Sequence, residues 1–145
     1  MLPELGVLAG RAAAAREQLE ALIAVVPGDY WDRREAGDAW TARTHLQHLA
    51  TIDAPTRALF AAATAGSALA PFGADSAATF EAARAALLDS VANLPVPALV
   101  ERMRAEREAA LGALAVLGAR ELAMPVVLPG VVDAWRRPVA VPLRQ

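Results

Sequence analysis

Apolar residues recur at alternating three- and four-residue intervals in four segments of this 145-residue sequence, the spacing of one helix face. The first segment runs from Pro3 to Val26 and is stopped by Pro27-Gly28. The second runs from about Ala42 to Ala63, with Thr41 as its candidate N-cap. Because a proline inside a helix removes a backbone hydrogen bond, we expect a bend in this segment near Thr51 to Pro55.

The third and fourth segments span about Ala77 to Asn93, with Asp75 or Ser76 as the cap, and about Ala98 to Leu117. Arg107 falls within the apolar seam of the fourth segment, where we expect it to extend its charged head to the solvent at the rim. The chain is 56% hydrophobic but only 5% aromatic, so alanine, leucine and valine dominate. Alanine favours closely packed helices, and the sequence therefore predicts an all-α domain.

The region after Gly118 has a different pattern. Two runs rich in valine flank Pro129-Gly130, a dipeptide typical of turns, and predict a short extended hairpin near residues 126–133. No repeat and no long linker interrupts the chain, so residues 1–145 are predicted to form a single helical domain.

Composition restricts the class of function. A net charge of -2 with mixed signs along the chain argues against nucleic-acid binding. The absence of cysteine excludes disulfides and a catalytic thiol of the protein itself, and fits a cytoplasmic location. The longest uncharged stretch, residues 58–74, is shorter than the roughly 20 apolar residues that span a bilayer, so we expect a soluble protein with no membrane contact.

The two histidines of the sequence, His45 and His48, lie three residues apart and therefore on adjacent parts of one helix face. One interpretation is metal ligation, because neutral imidazole binds zinc, nickel, copper and iron. The other is structural, with one histidine satisfied inside the bundle and one solvated. Asp53 lies about 140° around the helix from His48, so it is free to face the next helix instead.

The residues Trp40, Thr41, His48 and Leu49, followed by Asp53, resemble the start of the second helix in the DinB-like superfamily, which includes the N-terminal domain type of mycothiol-dependent maleylpyruvate isomerases. The stretch FEAARAALLDSVANLPVPALVERMRAEREAALGAL, residues 80–114, resembles the middle of such proteins. The resemblance covers most of the chain.

This resemblance implies an up-down-down-up four-helix bundle, frequently dimeric, with a divalent metal such as zinc or nickel held by three histidines. It also implies a low-molecular-weight thiol as cofactor or substrate in some members. His48 matches the first metal ligand, and His45 has no fixed family role. The other two ligands form an HxxxH pair on the family's last helix, and no residues of this sequence match that pair.

We therefore expect a bundle that is incomplete at its C-terminus, completed by a partner subunit or by the helix from Ala77 to Asn93. Uncovered apolar seams favour a homodimer. Two functions follow. The first is a DinB-like metal-dependent thiol transferase or isomerase with His48 as a metal ligand. The second is a metal-free helical bundle that binds a small molecule or associates with itself.

Overall fold

The computed structural model describes residues 3–34, 37, 40–67, 76–132 and 138–142, and these are mostly helical. The prediction of an all-α fold with a short hairpin is confirmed. None of the described helices combines the length and the apolar character needed to cross a membrane. The elements are α1 (Pro3–Val25), α2 (Ala42–Leu49), α3 (Asp53–Thr64), α4 (Ala77–Asp89), α5 (Val96–Ala115), α6 (Ala119–Leu122), β1 (Pro125–Val132) and β2 (Pro138–Pro142).

The second predicted helix is divided into α2 and α3. It begins where expected, because the side-chain oxygen of Thr41 accepts a hydrogen bond of 3.1 Å from the backbone N–H of Thr44. The predicted bend takes the form of a break at residues 50–52, just before Pro55. There the hydroxyl of Thr51 lies within hydrogen-bonding distance of the carbonyls of Gln47, at 3.1 Å, and of His48, at 2.9 Å, and the His48 carbonyl also accepts from the backbone N–H of Ile52.

The bounds of α4 and α5 differ slightly from the prediction. Ser76 caps α4 by accepting a hydrogen bond of 3.2 Å from the backbone N–H of Thr79. The helix ends at Asp89, four residues earlier than expected, and α5 begins at Val96, two residues earlier. Helix α5 starts early because Pro97 suits a first helical turn. The backbone N–H that proline lacks would have no partner within the helix at that position.

Two groups of buried side chains form the core. The first core cluster consists of Trp31, Leu46, Ala50, Val91, Leu99 and Met103. The second core cluster consists of Leu5, Ala63, Leu117 and Val126.

The two clusters give the direction of each helix. The path through α2 and α3 leads from the first core cluster to the second, and so does the path along α5. By contrast, α1 contributes Leu5 to the second cluster and packs Leu19 and Ile23 against the first. Thus α1 is antiparallel to two mutually parallel helical segments, which agrees with the first three members of an up-down-down-up bundle.

Parallel neighbours require a long crossover connection, and α4 lies within it. None of its residues is fully buried, and its main contacts are with β1. Within the described residues, α4 therefore does not take the place of a fourth bundle helix. This was one of the two ways in which the sequence suggested that the bundle is completed.

The apolar seam of α1 is only partly covered. Leu5 is buried, but Leu8 and Leu22 are 54% and 64% exposed, and Val7 and Val25 are exposed as well. These side chains are exposed because too little of the described chain packs against α1.

The hairpin is present, but its turn is not at Pro129-Gly130. Both residues lie within β1, which pairs antiparallel with β2. The register shifts between Leu128 and Val132, and such an irregularity tolerates a proline that cannot donate a ladder hydrogen bond. The connection between the strands, residues 133–137, lies outside the described residues.

Candidate functional site

A groove with a volume of ≈ 210 Å³ lies between α1, α2 and α5. Its walls are apolar except for two guanidinium groups, and they comprise Ala12, Ala15, Arg16, Leu19, Leu49, Met103 and Arg107. The hairpin does not line it; Val126 of β1 packs in the second core cluster. A concave, mostly apolar surface with a few polar groups is the usual form of a small-molecule site.

The Arg107 side chain is 31% exposed, so it reaches the solvent at the rim as the sequence suggested, and it also pairs with a buried carboxylate. Its Nε donates a hydrogen bond of 2.7 Å to Oδ2 of Asp53, a residue that is only 8% exposed. The carboxylate comes from α3, so Asp53 faces the next helix, in agreement with its angular displacement from His48. The ion pair fixes Arg107 at the groove, because a buried carboxylate needs a charged partner.

Arg16 has a weaker partner. Its Nε lies 3.6 Å from Oε1 of Glu20, while the other carboxylate oxygen accepts a hydrogen bond of 2.8 Å from Nη2 of Arg104. The hydrogen bond from Arg104 is the main reason why the pKa of Glu20 is lowered. Glu20 lies closer to Arg104 than to Arg16. The charge of Arg16 is therefore less neutralised than that of Arg107, the other arginine of the groove.

Side-chain hydrogen bonds hold α2 in place. Arg43 donates to Asp32 through Nε at 2.6 Å and through Nη2 at 3.1 Å, and this hydrogen bonding lowers the pKa of the Asp32 carboxyl. Gln47 Nε2 donates to the carbonyl of Ala92 at 2.9 Å. These contacts fix the orientation of Leu49 and the two histidines on the same helix.

Trp40 and the two histidines form an aromatic cluster at the start of α2. The ring centroids of Trp40 and His45 are 5.1 Å apart, and those of Trp40 and His48 are 5.5 Å apart. His48 and Trp40 are half-buried, whereas His45 is exposed. Trp40 and His48 are expected to lie close together because Thr41 begins the helix and His48 follows two turns later, and the structure confirms this.

The donor set does not complete a three-histidine metal centre. The whole sequence has two histidines and no cysteine. Within the described ranges, no group of three or more histidine, aspartate or glutamate residues is placed to hold a metal ion. Asp53, the acidic residue of the resemblance, is bonded to Arg107.

An antiparallel helix against two parallel helical segments, with a small groove between them, defines an all-α bundle. The model of the DinB superfamily matches residues 11–141, which is most of the sequence, and the chain belongs to this superfamily. Neither the comparison with curated proteins nor that with solved structures finds a match.

Sequence reasoning missed Arg16 and Arg107 as groove residues. Arg107 did carry a signal: a cation at a seam position implies an anion on a neighbouring helix. Arg16 had no such signal, because the sequence alone does not show that α5 lies beside this face of α1.

Proposed function

We propose that this chain is a DinB-superfamily bundle that binds a small, mainly apolar molecule in the groove between α1, α2 and α5. The single observation that carries the proposal is the groove itself, whose apolar lining is interrupted only by two arginines. This is the metal-free alternative of the two functions that the sequence left open.

The position of Met103 supports binding. This residue at the groove wall also belongs to the first core cluster, so the groove reaches the side chains of the bundle core. Leu19 and Leu49 supply further apolar surface from α1 and α2. Burial of such surface favours association by about 25 cal/mol per Å² before the costs of immobilisation.

The test uses 1-octanol as a neutral apolar probe. We expect calorimetric titration to give a dissociation constant on the order of 0.5 mM, which suits a ligand of this size. Ala12→Phe places a ring in the groove and is expected to weaken binding at least about tenfold. Ala24→Phe is the matched control, since Ala24 is exposed on the same helix and does not line the groove.

Thermal unfolding of each variant shows whether the fold is kept. Equal affinity of the two folded variants, or no binding of 1-octanol by the unsubstituted protein, contradicts the proposal.

Metal ligation by His48 is the second candidate. The observation that favours it is the contact of both imidazoles with Trp40, which brings the two histidines of the chain to one place. Because the described residues supply no further ligand there, the remaining ligands would have to come from outside them. No catalytic step is assigned to such a metal.

For this candidate we expect His48→Ala to weaken the binding of zinc or nickel by at least about tenfold, since few ligands hold the ion. Competition with a chromophoric chelator measures the affinity, and His45→Ala is the comparison. Unchanged metal affinity in His48→Ala eliminates His48 as a ligand.

We also propose that the chain forms a homodimer through the exposed face of α1. Leu8, Ala15 and Leu22 recur at seven-residue intervals on this face. In an antiparallel pair centred on Ala15, which also lines the groove, Leu8 of one protomer faces Leu22 of its partner, and the small alanine lets the helices approach closely. The same symmetry brings Arg11 of one protomer near Gln18 of its partner, so the face is complementary to itself.

Light scattering tests the dimer. We expect a mass of twice 15.1 kDa for the unsubstituted protein and a mass of 15.1 kDa for Leu22→Glu, which introduces a charge at the contact. Val116→Glu, at an exposed valine at the end of α5, should stay dimeric. A single-chain mass for the unsubstituted protein at micromolar concentration, without aggregation, rejects the homodimer.

A further inference from the structure

We infer that the ligand of the groove is a medium-chain aliphatic carboxylate, with its chain against Leu19, Leu49 and Met103 and its anionic head bound by Arg16 and Arg107. The inference rests on the proposed function and adds the chemical class of the ligand.

The size of the groove limits the ligand's apolar part. The groove of ≈ 210 Å³ is small beside the roughly 300–1,000 Å³ of typical ligand pockets, so a single unbranched alkyl chain suits its apolar lining.

The charges at the groove select an anion. Both charged residues of the lining are arginines, and no acidic residue lines it among the described residues. A ligand cation would therefore meet two guanidinium groups, while a carboxylate would gain charge-assisted hydrogen bonds from them.

Both arginines of the groove keep N–H donors that such an anion can bind. Arg107 uses its Nε–H on Asp53, and its terminal nitrogens make no hydrogen bond within the described part of the chain. A guanidinium has five N–H donors, so Arg107 can keep its bond to Asp53 while it binds a ligand. Arg16 lies 3.6 Å from Glu20, which is longer than a hydrogen bond and leaves its donors available.

Octanoate and 1-octanol form a matched pair of probes, because they share the chain and differ in the head group. We expect the 145-residue chain to bind octanoate about tenfold more tightly than 1-octanol at low ionic strength, with a smaller ratio in high salt. Because Arg107 remains at the groove, Arg16→Gln is expected to reduce this ratio to about threefold. Arg102→Gln, which removes an exposed arginine of α5 outside the groove, should retain the tenfold ratio.

The outcomes separate the two proposals. Binding of both probes with equal affinity by the unsubstituted protein overturns the assignment of a carboxylate ligand and leaves the proposed function standing. Absence of binding for both probes overturns the proposed function itself. A ratio that falls equally in Arg16→Gln and Arg102→Gln shows a general effect of net charge and also overturns the assignment of the head group to Arg16.

Discussion

Replacing Leu99 by alanine is expected to lower the free energy of unfolding by about 3 kcal/mol. Leu99 is 0% exposed and lies in the first core cluster, near the start of α5. The substitution removes buried methyl groups and leaves a cavity among Leu46, Val91 and Met103, and both effects destabilise the folded state. Since α5 contacts α1, α2 and α3, the other helices cannot move inward independently to fill the space.

Urea unfolding followed by circular dichroism measures this change. Glu108→Ala is the control, because Glu108 is exposed on the same helix, and its replacement should alter stability by less than about 0.5 kcal/mol. A loss of stability no greater in Leu99→Ala than in Glu108→Ala would show that the first core cluster is not packed as described.

Replacing Arg107 by methionine is expected to cost about 2 kcal/mol of stability. Methionine keeps much of the aliphatic stem but leaves the carboxylate of Asp53 buried without a charged partner. The loss should be smaller than the ~3–5 kcal/mol typical of fully buried pairs, since the Arg107 side chain is 31% exposed and water can reach it.

A double-mutant cycle with Asp53→Asn isolates the interaction of the pair. The ion pair of Arg57 and Glu106 serves as the matched control, since it also joins α3 to α5 but its arginine is more exposed, at 46% against 31% for Arg107. We expect a coupling energy below about 1 kcal/mol for that pair. Similar coupling energies for the two pairs would contradict a special role of Asp53 and Arg107 in fixing the groove.

Features that depend on neighbouring residues in the chain could be predicted from the sequence. The cap at Thr41 follows from a hydroxyl placed before a helical segment, and the break before Pro55 follows from a missing N–H. The proximity of Trp40 and His48 also follows from local spacing along α2.

Features that depend on tertiary contacts could not be predicted. The spacing of Leu8 and Leu22 identifies one face of α1 but not how much of that face other helices cover. Likewise, Pro129-Gly130 is typical of a turn, yet the same residues fit a strand whose pairing partner allows an irregular register. The groove is of this second kind, since it is made by residues from three helices that are distant in the sequence.

Met103 couples the groove to the stability of the whole bundle, because its side chain is shared by the first core cluster and the groove wall. A ligand that binds only the folded state shifts the folding equilibrium by RT ln(1 + [L]/Kd). Substitutions that loosen the core around Met103 are expected to change the affinity of the groove as well, because the same side chain forms part of its wall. The thioether side chain of Met103 is flexible and polarisable. The groove wall can therefore adapt to ligands of different shape without a change in the helix arrangement.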